Sequence, residues 1–332
     1  MSGQQLDPGD RATTEPQDAA SAFRSLRSNV LVRGSLVVIA AGYAVYAVAA
    51  PGVPALEGTV SEDLLEQLTR APVFLILTWI IFEITRRRPL PDYGSRSPDA
   101  ANATFELLAI AGYTLAAMVV LGFFGITYHP QENDPSLSQG DLVLWAAVNP
   151  IVYALIPYLW LRSRGNSATD LGLRGNRWRL DWKLLAVVGG IDMILAIIFS
   201  DYLELELGQM ALATPLTFVL FGLGAGIPVV LLTQAVVAPR VYAITGSHLS
   251  AGAASVIAYA LFSSTDRGLL YDSAGHAVLS FLFITVANFG PGLVKAMLTV
   301  RTGNAWLHFL AYHVVSFHIW ADAPLVARIF EL

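Results

Sequence analysis

The feature that most constrains this chain is a succession of apolar stretches close to the roughly 17–25 residues a helix needs to cross a bilayer. They fall at about 34–51, 70–85, 104–127, 142–161, 184–200, 214–238, 248–263, 276–297 and 304–321. Backbone amides and carbonyls find no water in hydrocarbon, so such stretches fold as helices that close their own hydrogen bonds. The expected fold is all-α: a polytopic transmembrane helix bundle of about nine spans, eight to ten when the short second, fifth and seventh stretches are allowed for. Composition agrees. Residues of the set AVILMFWYC make up 55% of the chain, charged residues only 14%, and the mean hydropathy is +0.57. Soluble domains are closer to about 25% charged, and a soluble particle of this size could not hide so much apolar surface. That excludes soluble enzymes and, with a net charge of −5, a basic nucleic-acid module. No cysteine is present, which removes disulfides, cysteine nucleophiles and thiolate metal sites.

Charge placement orients the chain. The first segment, 1–30, is polar and acidic, and reads as a disordered tail rather than the basic start of a signal peptide. With that tail in the cytoplasm, 17 of the 20 basic residues fall on inner segments, and only Arg70, Arg267 and Arg328 on outer ones. This is the bias of the positive-inside rule, and omitting one central span would destroy it. The expectation is a multi-pass cell-membrane protein with its amino terminus inside and, for nine spans, its carboxyl terminus outside. The inner segment NRWRLDWKLL, with Trp178 and Trp182, suits the headgroup level.

Ionisable residues within spans are candidate sites because hydrocarbon penalises them. Asp192 lies mid-span beside Gly189 and Gly190, either as half of a buried pair or as a neutral, hydrogen-bonded group. Glu83 and Glu106 lie near span ends, where they are expected to reach water. The last span carries His308, His313 and His318. At about 100° per residue, a spacing of five turns each imidazole about 140° from the one before, so the three are not expected to share a face. No metal cage is expected from that helix alone, and no cofactor is implied. The run FGLGAGIPVV in the sixth stretch and SAGAASVIAYA in the seventh allow close helix packing. A broken helix lining a transport cavity is the sharper reading of the first.

From about Ala168 onward, the order of features resembles the CPBP family, the Abi or type II CAAX prenyl endopeptidase group of intramembrane proteases. DLGLRGNRWRLDWKLL at Asp170–Leu185 is similar to the lead-in before the family's core helices. VVLLTQAVVAPRVYAI at Val229–Ile244 resembles its glutamate-pair-then-arginine motif, with Arg240 matching the arginine. GLVKAMLTVRTGNAWLHFLAYH at Gly292–His313 is similar to a later family stretch that ends on a histidine, here His313. The resemblance implies an amino-terminal transmembrane extension over 31–165, about four spans, and a CPBP-like core over 166–332, about five.

Intramembrane peptide hydrolysis needs a water activated by a carboxylate and polar groups that stabilise the oxyanion. The resemblance assigns that work to paired glutamates, helped by histidines and an asparagine. Here the glutamate positions correspond to Ala235 and Val236, and the neighbouring Thr233 and Gln234 cannot ionise. The family's phenylalanine-to-histidine motif falls on Phe262 and Asp266, and its final asparagine on Phe317. The candidate catalytic residues by resemblance are His313, Asp266 and Arg240. Loss of the glutamates leads to the expectation of a non-catalytic member, with membrane lipids and a transmembrane or lipidated peptide, or a partner protein, as ligands. A rearranged protease using Asp266 with His313 is the alternative, although the topology puts Asp266 near the outer surface. A small-solute transporter, motivated by Asp192 and the sixth span, is a third reading.

Overall fold

The computed structural model describes residues 28–49, 60–93, 99–126, 137–174, 178–265 and 272–332, so the expected disordered tail lies outside the described residues up to its last three. Among the described residues 83% are helical and none lies in a strand. Helix α1 is Val30–Ala49, α2 is Val60–Thr85 and α3 is Ala100–Phe123. Helix α4 is Gln139–Ser163, α5 is 178–198 and α6 is Leu207–Thr245. Helix α7 is His248–Phe262 and α8 is Ala274–Thr302. Three short pieces follow: α9 at Leu307–Ala311, α10 at 314–321 and α11 at Ala323–Phe330.

Local chemistry places the boundaries. The side chains of Asp99, Ser247 and Ser273 each accept a hydrogen bond from a first-turn backbone N–H, and Ser138 with Asp141 closes a capping box. Gly246 and Gly303 end α6 and α8 at φ 65° and 71°, in the left-handed region that glycine enters without a Cβ penalty. Within the long helices, the hydrogen bonding widens to π-helical turns at Pro150–Leu155, Leu185–Gly189, Gly222–Gly226 and Val230–Val236. Pro150 and Pro228 lack the N–H that a regular ladder needs, which accounts for irregularity beside them.

Each of the nine apolar stretches contains helix among its described residues, and among the described residues five helices are long and apolar enough to cross a membrane. These are Leu68–Thr85, Ala100–Phe123, Gln139–Ser163, Leu207–Thr245 and Ala274–Thr302. Three of the other stretches fall short for visible reasons. Helix α5 carries Asp181, Lys183 and Asp192; α7 is short; and the last stretch breaks at Tyr312–His313.

Helices α1–α8 alternate in direction, as contacts between their ends show: Asn29 with Ser250, and Arg164 and Arg240 with Glu106. The connections after α2, α4 and α8 are tied together at one end of the bundle. There Arg88 pairs with Asp181 at 2.9 Å, and Asn304 Nδ2 donates to the same carboxylate at 3.3 Å. Arg301 donates to Thr85 Oγ1 and to the Thr85 carbonyl at 3.0 and 2.7 Å. Tyr93 donates to the Thr299 carbonyl at 3.1 Å, and Ala305 N–H to the Gly172 carbonyl at 3.0 Å. At the other end, Gln209 and Gln139 donate to the carbonyls of Leu332 and Ile329, holding α11 against α6 and α4.

Helix α8 is the central element, packing on α1, α2 and α7. Gly292 allows the approach to α7: a Cβ there would sit 3.2–3.3 Å from Tyr259 and Val256. One apolar core joins α3, α4, α6 and α7 through Trp145, Tyr153, Phe221, Val236 and Phe262. A second joins α2, α5, α8 and α9 through Leu77, Leu184, Leu298 and Leu307. The π-helical Gly222–Gly226 lies against α4, where Asn149 Nδ2 donates to the Gly224 carbonyl at 3.1 Å. A Cβ on Gly224 would fall 2.6–2.7 Å from the Trp145 ring. Gly224→Ala is therefore expected to destabilise the protein by about 1–3 kcal/mol through overpacking. Gly34→Ala on α1, where a Cβ meets nothing, is expected not to destabilise it. Denaturant unfolding of purified protein in mixed micelles distinguishes the two.

Candidate functional site

A carboxylate, guanidinium or imidazole inside such a bundle has no bulk water to solvate it, so partners decide what each group does. Two buried polar constellations and one apolar cleft stand out.

The first constellation is centred on Glu106 of α3. Arg240, fully buried near the end of α6, donates to Glu106 Oε2 through Nε at 3.2 Å and Nη2 at 3.1 Å. Its Nη2 also donates to Asn166 Oδ1 at 3.0 Å, and its Nη1 to the Ala235 carbonyl at 3.3 Å. Arg164 Nε and Asn166 Nδ2 donate to Glu106 Oε1 at 3.0 and 3.1 Å. Arg164 also lies over the Phe105 and Trp160 rings, 5.0 and 5.4 Å from their centroids. Glu106 was expected to reach water; it is 2% exposed instead, because two arginines and an asparagine close over it. Glu83, by contrast, is partly exposed and pairs with Arg86 at 3.1 Å.

The second constellation runs along the last helical segment. Helix α9 stops at Tyr312–His313, where the backbone leaves helical conformation, and resumes as a π-helical turn at Val314–His318. The N–H of His318 reaches the His313 carbonyl at 2.9 Å, an i→i+5 bond. Spaced by five in this geometry, the three histidines line up. The His308 and His313 ring centroids are 5.9 Å apart and stacked, and those of His313 and His318 are 4.8 Å apart. This corrects the expectation from regular α-helical rotation: the break and the wider turn absorb the 140° offset. His318 Nδ1 then meets Asp322 Oδ2 at 2.5 Å, and the His318 ring stacks on Phe221 of α6. His308 is fully buried, and neither of its ring nitrogens has a hydrogen-bond partner of acceptable geometry.

Further buried groups lie alongside. Ser316 Oγ donates to Asp192 Oδ2 at 2.6 Å, so Asp192 is hydrogen-bonded, and Lys295 lies within its electrostatic reach. Lys295 Nζ donates to the Tyr259 hydroxyl at 2.7 Å and lies 3.9 Å from that ring's centroid. Counted from sequence among the inner-surface cations, Lys295 is only 2% exposed, because α8 continues past it to Thr302. Among the described residues no group of three His, Asp or Glu side chains is arranged to hold a metal ion.

The cleft lies between α3, α6 and α7, with a volume of about 160 Å³. Leu107, Ile110, Met118, Leu232, Val236 and Phe262 line it, with Thr114 and Thr233 as its polar side chains. Thr233 Oγ1 is spent on the Val229 carbonyl at 2.9 Å.

The residues singled out by resemblance are thus distributed. Arg240 is held in the Glu106 network, His313 stands in the histidine row, and Asp266 lies outside the described residues. Ala235 and Val236 are buried in apolar core, as is Phe262, whereas Phe317 is 38% exposed. Sequence reasoning missed Ser316, Asp322, Lys295 and Tyr259. Only Asp322 carried a local signal, standing four residues after His318 as a helical neighbour would. No protein-family profile, characterised protein or solved structure matches this chain.

Glu106→Gln leaves Arg240 buried with no carboxylate and is expected to cost about 3–5 kcal/mol. Arg164→Gln, at a partly exposed partner, is expected to cost about 0–1 kcal/mol. Both are read as shifts in unfolding free energy in micelles.

Proposed function

We propose that the protein is a multi-pass cell-membrane protein with a CPBP-like core that binds an apolar or lipid-modified chain without hydrolysing it. The observation that carries this reading is the apolar cleft at Val236 and Phe262. Hydrolysis at that point would need an ionised carboxylate within hydrogen-bond reach of a water. Ala235 and Val236 offer none, and Thr233 and Gln234 are neutral and hydrogen-bonded to each other at 3.1 Å. A narrow cleft walled by Leu, Ile, Met, Val and Phe suits a prenyl or acyl chain better than a hydrated peptide. Membrane lipids and a lipidated or transmembrane peptide are the matching ligand class.

The same proposal includes nine crossings with the amino terminus in the cytoplasm. Its support is the alternation of helix ends and the gathering of Arg88, Arg164, Arg240 and Arg301 at one of them.

Two experiments test these points. Purified protein incubated with a fluorescent prenylated peptide is expected to bind it and release no product. Val236→Trp, which fills the cleft, should abolish binding while leaving the protein folded. Turnover lost in His313→Ala would overturn the non-hydrolytic reading, and binding unchanged in Val236→Trp would overturn the site. Because the chain has no cysteine, single cysteines report sidedness cleanly. In intact cells an impermeant maleimide is expected to label Glu204→Cys and to leave Arg87→Cys unlabelled until the membrane is opened. The reverse pattern refutes the orientation.

A further inference from the structure

We propose that Arg164, clamped at the end of α4, anchors the headgroup of a bound anionic phospholipid whose acyl chains lie along the outer faces of α3 and α4. The site is separate from the apolar cleft and does not depend on the CPBP-like reading. It requires only that α3 and α4 cross a membrane.

Height in the bilayer comes first. Arg164 directly follows Ser163, the last residue of α4, and α4 at 25 residues exceeds the roughly 20 that span hydrocarbon. Its end therefore reaches headgroup level. Phe105 and Glu106 lie in the second turn of α3, which starts at Ala100. From there toward the bilayer centre the exposed side chains include Leu108 on α3 and Ile156 and Leu159 on α4, all apolar. Two turns along α3 from Phe105, a Cβ on Gly112 would meet nothing, so that face is open to a chain.

Chemistry selects the ligand. An unrestrained surface arginine loses rotamer freedom when it binds, which weakens the contact. Arg164 is already held. Its Nε donates to Glu106 Oε1 at 3.0 Å, and its guanidinium lies over the Phe105 and Trp160 rings. Nη1 and Nη2 make no hydrogen bond to any described residue. That remaining edge is a planar pair of donors, the shape that meets two oxygens of a phosphate together.

Charge agrees with shape. Two guanidinium groups share the one Glu106 carboxylate, and the further carboxylate Asp170 acts on Arg240, which is sealed from water. Arg164, with 31% of its side chain exposed, is the cation of this cluster that a headgroup can reach. Arg162 is exposed two residues before it and uses Nη1 on the Asn166 carbonyl. A zwitterionic headgroup carries its own cation beside the phosphate, so an anionic one is favoured. Inorganic phosphate would meet the donors alone, whereas a lipid also lays its chains on the apolar faces below.

Native mass spectrometry of the full chain, purified in detergent and titrated with phosphatidylglycerol or phosphatidylcholine, tests the site. Wild-type protein is expected to hold one phosphatidylglycerol about tenfold more tightly than phosphatidylcholine. Arg164→Gln should abolish that preference, and Phe105→Ala, which keeps the charge but removes one face of the clamp, should reduce it. Arg86→Gln, at another partly exposed arginine paired with a glutamate, should leave it unchanged. Thermal unfolding checks that each variant is folded. If Arg164→Gln is not, Arg164→Lys, which keeps a point charge without the fork, takes its place and should lose most of the preference. Wild-type protein that holds both lipids equally overturns the proposal, as does a preference that survives at Arg164 or falls equally in Arg86→Gln. Inorganic phosphate that displaces the lipid overturns the lipid as occupant.

Discussion

A carboxylate in hydrocarbon must be met by donors from its own protein, and Glu106 shows how far the chain goes to do this. Arg240 from α6, Arg164 from the end of α4 and Asn166 beyond it all converge on one side chain of α3. The same constraint operates at Asp181, held by Arg88 and Asn304, and at Thr85, held by Arg301. These contacts join helices distant in sequence at a single end of the bundle. Exposed ion pairs contribute little because water competes for both partners. Here the partners are mostly sealed from water, so removing one would strand the other at high cost.

Departures from the regular helix carry the second theme. Glycines let α6 press against Trp145 and Phe309, and π-helical turns widen the backbone there. In the last segment, the interruption at Tyr312–His313 and the turn that follows rotate three imidazoles into one row. Helix irregularity thus has opposite consequences in two places. In α6 it packs apolar surface tightly, whereas after α9 it assembles polar groups.

These two consequences separate the molecule into an apolar and a polar side. The cleft at Val236 and Phe262 is walled by apolar side chains, and Ala235 and Val236 are buried in the core beside it. The histidine row, with Asp322, Asp192 and Lys295 about it, gathers ionisable groups in the adjoining interior.

Much of the fold is legible in the amino-acid sequence. Bilayer-length apolar runs, Asp99, Ser138, Ser247 and Ser273 as caps, and Gly246 and Gly303 as stops all act within a few residues of where they are written. Helix identity and order follow from such local effects, since each helix satisfies its own backbone. The site is not legible in the same way. Regular rotation argues that His308, His313 and His318 diverge, and Lys295 and Glu106 look like surface charges. Each depends on something that regular local geometry does not contain: the break at 312–313, the continuation of α8 to Thr302, and arginines arriving from α4 and α6. Sequence by itself determined an all-helical chain built for an apolar solvent, because that demand is local and repeated. Tertiary structure decided which buried charges meet, because pairing across helices depends on register and rotation that no single segment contains.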